Sequence, residues 1–378
     1  MYKLFLSAAL LVAGTSLAAQ SQADAASSYL MVYFSDQDHA IHFATSPDGY
    51  AFTAVNDGYC IISGDTIADQ RGVRDPYIMQ LPDGSFLCAA TDLHISAQRE
   101  GKRQTQWERP NEQYGWGNNR SIVLLRSADL IHWTHSLLTI ADLPGYEEIG
   151  CAWAPQMLWD EDKQAVFIYW TMRWGDGVNQ VYYAYLNESL DALATEPTLI
   201  MELPDGKTYI DADITKGNDG RWYMTYVSHQ ERTPGIKVAV ADNLTGPYTY
   251  REAYIDNEEL ACEAPMVWRR QGSDTFVIMI DCYGIRPNNF GFLETEDFET
   301  FRDIGHFNDS IMQSTNFSQP KHGAVIPITA AQAEQLQLYW QEHPDHTTDF
   351  HARQPRRPRP DRPDGPEGRP DRPREMPQ

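Results

Sequence analysis

Short apolar runs alternate with turn-forming residues along most of the chain. Four segments share one pattern, strand, Asp/Gly-type turn, strand. They are "VRDPYIMQLPDGSFLCAATD" at 73–92, "AWAPQMLWDEDKQAVFIYWT" at 152–171, "YIDADITKGNDGRWYMTYVS" at 209–228 and "CEAPMVWRRQGSDTFVIMID" at 262–281. Their turns, "LPDGS", "WDEDKQ", "GNDGR" and "RQGSD", carry hairpin chemistry. A third apolar run follows each hairpin: "RSIVLLRSADLIHWT", "QVYYAYLNESLDAL", "GIKVAVADNLTGPY" and "NFGFLETEDFETF". A weak internal repeat of about four strands per roughly 50–80 residues is the signature of a propeller blade.

The chain ends supply the rest. "AIHFATSPDGYAF" at 40–52 matches the third run but lacks a first strand before it, and "HGAVIPIT" at 322–329 reads as a first strand with nothing after it. Placing the C-terminal strand innermost, in a blade whose outer strands come from residues near 29–56, closes the ring and removes an exposed edge. The predicted fold is therefore all-β, a five-bladed β-propeller closed by pairing of the N- and C-terminal strands. Thr329-Ala330-Ala331-Gln332 matches a capping box and predicts a short helix running to about Glu342.

Three regions follow. Residues 1–26 read as a signal peptide and short linker, with Lys3 ahead of the apolar run "LFLSAALLVAGTSLA". Residues 27–350 form the propeller. Residues 351–378 hold eight Pro and eight Arg and cannot bury a core; they predict a disordered or extended tail, a solvated spacer or a contact for an anionic polymer. The leader implies a periplasmic or secreted protein, and no later segment reads as a membrane span.

Net charge is −23, which argues against nucleic acid as the partner because phosphate binding needs a basic field. Aromatics make up 12% of the chain, which suits both an all-β core and a sugar-binding surface. The five cysteines, Cys60, Cys88, Cys151, Cys262 and Cys282, are widely spaced and read as buried free thiols. No CxxC pair occurs, so spacing predicts no zinc site. There is no GxSxG, P-loop or strand-following GxGxxG either.

First strands line a propeller's channel. Three of the four complete repeats place an acid near the start of that strand, Asp75, Asp211 and Glu263, where the second repeat has Trp153. Converging acids repel and are desolvated, which costs stability and spreads their pKa values. Glycosidic hydrolysis needs such a pair, one carboxyl to protonate the leaving oxygen and one to activate water. Asp211 and Asp213 in "IDAD" lie on one face and remain alternatives by pattern alone.

"RDPYI…DGSFLCAATD", "WAP", "IDADI", "EAP" and "HGAVIPIT" together resemble glycoside hydrolase family 43, over about residues 29–330. The resemblance implies an inverting enzyme with Asp75 as general base, Glu263 as general acid and Asp211 as pKa modulator. It implies Trp153 in the pocket wall, Gln156 where relatives often carry Asp, and His322 near the channel axis. His322 would hold a central calcium ion through water, although no cofactor is required. Arg74, Asp92 and Arg286 are expected to hold sugar hydroxyls. The expected activity is exo-hydrolysis of a terminal pentofuranose from plant polysaccharide or oligosaccharide, an α-L-arabinofuranosidase. β-Xylosidase and β-D-galactofuranosidase are alternatives, and a non-catalytic carbohydrate-binding propeller is the alternative of another class. The insertion at 93–120, with two Trp, would wall one end of the pocket and favour exo action.

Overall fold

The alternating runs become strands in a computed structural model that describes residues 26–102, 109–229 and 232–345. The leader before Ala26 and the Pro/Arg tail lie outside the described residues. In chain order the elements are β1 (Ala26–Phe34), β2 (Ile41–Ser46), β3 (Ala51–Ala54), α1 (Gly64–Ile67), β4 (Val73–Gln80), β5 (Phe86–Asp92), α2 (Asn111–Tyr114), β6 (Ser121–Ser127) and β7 (Thr134–Thr139). They continue with β8 (Ile149–Asp160), β9 (Ala165–Trp174), β10 (Gln180–Tyr185), β11 (Thr198–Leu199), β12 (Tyr209–Lys216), β13 (Trp222–Ser228), β14 (Gly235–Ala241) and β15 (Thr249–Tyr254). The last are β16 (Glu263–Arg269), β17 (Phe276–Cys282), β18 (Asn289–Thr295), β19 (Arg302–His306), β20 (Gln313–Thr315), β21 (Lys321–Thr329) and α3 (Ala330–Glu342).

These strands form five sheets, and the protein is a five-bladed β-propeller. The first four blades are consecutive up-and-down meanders, β4–β7, β8–β11, β12–β15 and β16–β19. The fifth runs β20-β3-β2-β1-β21, so both chain ends pair in one sheet and β21 is innermost, as the sequence predicts. A short extra strand, β20, adds parallel to β3 at the outer edge. The inner strands β21, β4, β8, β12 and β16 pack against one another in a ring.

Apolar residues on both faces of each blade fill the spaces between blades. Four buried clusters result. One joins the fifth blade to the first and fourth, and the others join the first to the second, the second to the third and the third to the fourth. Thr329 caps α3 through a capping box with Gln332, and the helix packs on β1 and β21. No helix among the described residues is long and apolar enough to cross a membrane.

Candidate active site

Every inner strand breaks its pairing with the second strand near its start, after its first, second or fifth residue. Register shifts fall between Arg74 and Tyr77, Trp153 and Gln156, Ile210 and Asp213, and Glu263 and Met266. On β21 the shift leaves His322 as the extra residue between Lys321 and Gly323. In the first four blades the first bulged residue is left-handed: Asp75 (φ 51°), Ala154 (φ 46°), Asp211 (φ 52°) and Ala264 (φ 54°). That conformation strains a residue with a Cβ, so it persists only where neighbours enforce it. Pro76, Pro155 and Pro265 follow in three blades. A proline has no N–H to pair, and a bulge is where a sheet tolerates one.

This register corrects the expected equivalence of the three acids. Asp75 and Asp211 share the bulge position with Ala154, Ala264 and His322. Glu263 stands one residue earlier, with Arg74, Trp153, Ile210 and Lys321. Aligning "RDP", "WAP" and "EAP" on their prolines already carries that signal. The consequence is chemical. Two carboxylates come from one level of the channel and the third from a different level.

In three blades the second strand braces the next blade's bulge. Thr91 Oγ1 accepts the Ala154 N–H (2.8 Å), Thr171 Oγ1 accepts the Asp211 N–H (3.1 Å) and Asp281 Oδ2 accepts the His322 N–H (3.2 Å). Val227, opposite Ile210, cannot do this, and the Asp211 carboxylate itself takes the Ala264 N–H. Sequence reasoning missed Thr91, Thr171 and Asp281. Their signal was a hydroxyl or acid near the end of an apolar second strand, in "AATD", "YWTM" and "MIDC".

Asp75 and His322 form the charged heart of the site. His322 Nδ1 lies 3.3 Å from Asp75 Oδ1, and Thr91 donates to Asp75 Oδ2 at 2.7 Å. Burial alone would raise the Asp75 pKa, but the His322 charge and hydrogen bond, with Arg74 and Thr91, bring it down to about 2. Burial works against the imidazolium of His322, yet Asp75, Asp211 and Glu263 raise its pKa to about 9. Asp75 is thus anionic and His322 cationic at neutral pH.

Glu263 sits in the opposite regime. Burial, the Asp281 charge and the Asp211 charge push its pKa to about 8, against the pull of Lys321. Lys321 Nζ stands 3.4 Å from Glu263 Oε1 and 3.1 Å from Asp281 Oδ2. The Glu263 side chain keeps 27% exposure, so its proton can reach a ligand. Asp211 lies between the two, raised to about 6 by burial and by Asp75, with His322 opposing.

The two aspartates of "IDAD" have different surroundings, and Asp213 is the more enclosed. It sits deeper, at 1% exposure, raised to about 7 chiefly by burial. Thr215 Oγ1 donates to it at 3.3 Å, and Gln156, with its amide oriented to satisfy its neighbours, donates to Asp213 Oδ2 at 2.9 Å. Asp213 therefore supports the channel floor while Asp211 faces the other charges.

The remaining expected contacts divide. Trp153 is held by its indole N–H on Gly117 O (2.8 Å), by the Arg173 guanidinium 4.5 Å above its ring and by Trp116, 6.1 Å away. Trp116, not singled out from the sequence, is 63% exposed and is fixed through its carbonyl by Arg173. The described part of the 93–120 insertion thus stands against Trp153. Arg74 pairs with Asp36 (2.7 Å) and lies over the Phe34 ring. Arg286 is exposed and donates to the Tyr283 and Ile285 carbonyls. Asp92 is not brought to the pocket surface: it is buried and accepts the Gln70 N–H at 2.8 Å, so it orders a loop. His322 Nδ1 faces Asp75 Oδ1 at 3.3 Å, with the carboxyls of Asp211 and Glu263 nearby.

Comparison with known proteins follows the same outline. Residues 24–334 match the profile of a family described as "Probable glycosyl hydrolase domain", related to glycoside hydrolase family 43. An α-L-arabinofuranosidase of Bifidobacterium longum subsp. longum is 28% identical over 137 residues, 33% of this chain. The match spans only 11% of that relative's length. Among solved structures, a xylan β-1,4-xylosidase of Bacillus halodurans superposes with a TM-score of 0.52 at 13% identity, over 75% of this chain and 52% of that one. An endo-1,4-β-xylanase of Bacteroides thetaiotaomicron gives 0.51 at 13% identity, over 74% and 91%. At such identities these structures speak for the fold.

Proposed function

As the chain belongs to the family 43-related glycosyl hydrolase domains, we propose that it is an inverting exo-glycosidase releasing a terminal pentofuranose, most readily α-L-arabinofuranose, from plant-type polysaccharide or oligosaccharide. The observation that carries this reading is the split in ionisation across one pocket. Asp75 is held anionic near 2 and Glu263 is held protonated up to about 8. A base and an acid must differ in this sense to work together at one pH.

In the reaction the Asp75 carboxylate takes a proton from water as that water attacks the anomeric carbon. The glycosidic C–O bond breaks on the opposite face, and Glu263 passes its proton to the leaving oxygen. One displacement without a covalent intermediate inverts the anomeric configuration. Asp211 acts through charge, keeping the Glu263 proton in place until the leaving oxygen needs it. His322 keeps Asp75 ionised and oriented. Lys321 and Asp281 position Glu263.

The sugar preference rests on the name of the Bifidobacterium relative, with β-xylosidase and β-D-galactofuranosidase activities as the rivals. Trp153 and Trp116 support chain-end action, as an edge-to-face aromatic wall on one side of the pocket. Export rests on the leader sequence. The test is hydrolysis of p-nitrophenyl α-L-arabinofuranoside, β-D-xyloside and β-D-galactofuranoside, beside Glu263→Gln. One glycoside should turn over with inversion seen by NMR, and the variant should lose about 10²–10⁴-fold. Equal turnover by the variant would refute the acid assignment.

A further inference from the structure

Behind the pocket, on the far side of the fourth blade's strands from Asp281, three ligand-type side chains meet. They are Cys282 at the end of β17, His306 at the end of β19 and Glu258 in the loop leading to β16. Their donor atoms, Sγ, Nε2 and a carboxylate oxygen, all lie within 4.8 Å of one another, and no other such group occurs among the described residues. His306 Nε2 is 2.9 Å from Glu258 Oε1, and Cys282 Sγ lies within 4.8 Å of the donor atoms of both.

Two further observations make this more than a chance cluster. The other nitrogen of His306, Nδ1, lies 3.0 Å from Asp309 Oδ2, while Asp309 Oδ1 accepts the His306 N–H at 2.7 Å. A carboxylate on the rear nitrogen fixes the ring's tautomer and aims the front nitrogen, as around histidines that bind metal. Then there is Gly291 on β18, between β17 and β19. A Cβ there would stand 3.0 Å from Cys282 Sγ, 3.1 Å from Glu258 Oε1 and 3.3 Å from the His306 ring. The absent side chain leaves the space that the three donors face. Gly291 has no positive φ to account for it.

We propose that Glu258, Cys282 and His306 bind a divalent transition metal of the zinc class, with Asp309 orienting His306 and Gly291 making room. Thiolate, imidazole and carboxylate select zinc-like ions over calcium or magnesium, which prefer oxygen alone. Three protein ligands leave a fourth position for water. Binding releases the thiol proton and the proton shared by His306 Nε2 and Glu258 Oε1 to solvent, and the 2.9 Å contact between those two atoms widens to admit the ion. The ion would tie the loop ahead of Glu263 to β17 and β19. Its role is structural, and it is independent of the proposed hydrolysis. His306 and Glu258 keep 25% and 18% side-chain exposure, so an ion has a way in.

The test uses the full chain without an affinity tag, reduced and stripped with chelator, then dialysed against Zn²⁺ or Co²⁺. One equivalent of zinc should be retained, and Co²⁺ should give a near-ultraviolet thiolate charge-transfer band. His306→Ala, at a partly exposed position and checked for folding by circular dichroism, should weaken binding at least about 100-fold, and Asp309→Asn about 10–100-fold. Gly291→Ala should abolish it with the circular dichroism spectrum unchanged. Glu263→Gln should bind as the wild type does. Zinc retained below a tenth of an equivalent, Co²⁺ bound without the thiolate band, or His306→Ala binding like the wild type would each overturn the proposal.

Discussion

Carboxyls occupy two regions of this propeller, and apart from Asp75, which His322 keeps ionised, the acids shifted in the channel move in the opposite direction to those at the rim. At the rim, Asp48, Asp129 and Asp297 close the turn between third and fourth strands in three different blades. Each accepts two backbone N–H groups: Tyr50 and Ala51 (2.8 and 3.0 Å), Ile131 and His132 (2.9 and 2.8 Å), Glu299 and Thr300 (2.8 Å each). The hydroxyl two residues before each one takes a third N–H, from Gly49, Leu130 or Phe298. Some burial opposes ionisation, yet these bonds hold all three carboxyls below the usual range. In the channel Asp211, Asp213 and Glu263 are raised instead, burial being the largest cause in each. A rim acid does the same work in every blade that has it. A channel acid has no counterpart in most blades. Where blades agree, the residue builds the fold, and where they differ, it makes the site.

The strongest way to break this contrast is Asp75→Asn, which leaves the His322 cation facing a neutral amide. Turnover should fall about 10²–10⁴-fold. Stability near pH 6 should fall by roughly 3 kcal/mol, since half of a buried pair is left unpaired. The sign follows from the two shifts. Asp75 is lowered, so its contribution is present above pH ~4 and lost as pH falls through about 2. His322 is raised, so its contribution is full below pH ~6.5 and lost as pH rises through about 9. Denaturant melts across that range measure the difference.

Next in size is the alkaline limb of the rate profile, expected near pH 8 from Glu263. Asp281→Asn should move it down by about one unit, and Lys321→Met should move it up by a similar amount. Opposite movements in kcat/KM against pH would separate positioning by charge from simple loss of packing.

Asp213→Asn probes the same region through stability. Because the folded-state pKa is raised to about 7, the protonated form is favoured by folding, and that stability is lost as pH rises from ~4 through 7. The variant should flatten the wild-type decline between pH 5 and 8 by on the order of 1–3 kcal/mol, read by thermal unfolding at each pH. The smallest effect belongs to the rim. Asp129→Ala should cost about 1 kcal/mol, as the loss of a cap does, and leave turnover within twofold. A large activity loss there would collapse the distinction.

Much of this was legible in the residues. The hairpin turns marked four blades because a two-stranded ribbon needs Gly and Asp where it reverses. The unpaired runs at the two ends forced the closure of the fifth, and Thr329 with Gln332 announced α3. Asp75, Asp211 and Glu263 stood out because an acid in an apolar strand is costly. Asp92 was expected from the family resemblance alone, and its carboxylate accepts the N–H of Gln70, a partner twenty-two positions away. Lys321, Asp281 and Thr91 carried little signal, since each matters through a partner distant in sequence, on a paired strand or in the next blade.

Periodicity, turn chemistry and the cost of a buried acid are local properties, and from them the chain alone determines a closed five-bladed ring with carboxyls on its inner strands. Which carboxyl keeps its proton is not local. It depends on whether the facing charge is His322 or Asp281, and both come from other stretches of chain. The bulge register decides that Glu263 stands one level away from Asp75 and Asp211. The meeting of Glu258, Cys282 and His306 is of the same kind, for no CxxC spacing announces it. Charge interactions fall off with distance in space, and the tertiary fold alone sets those distances.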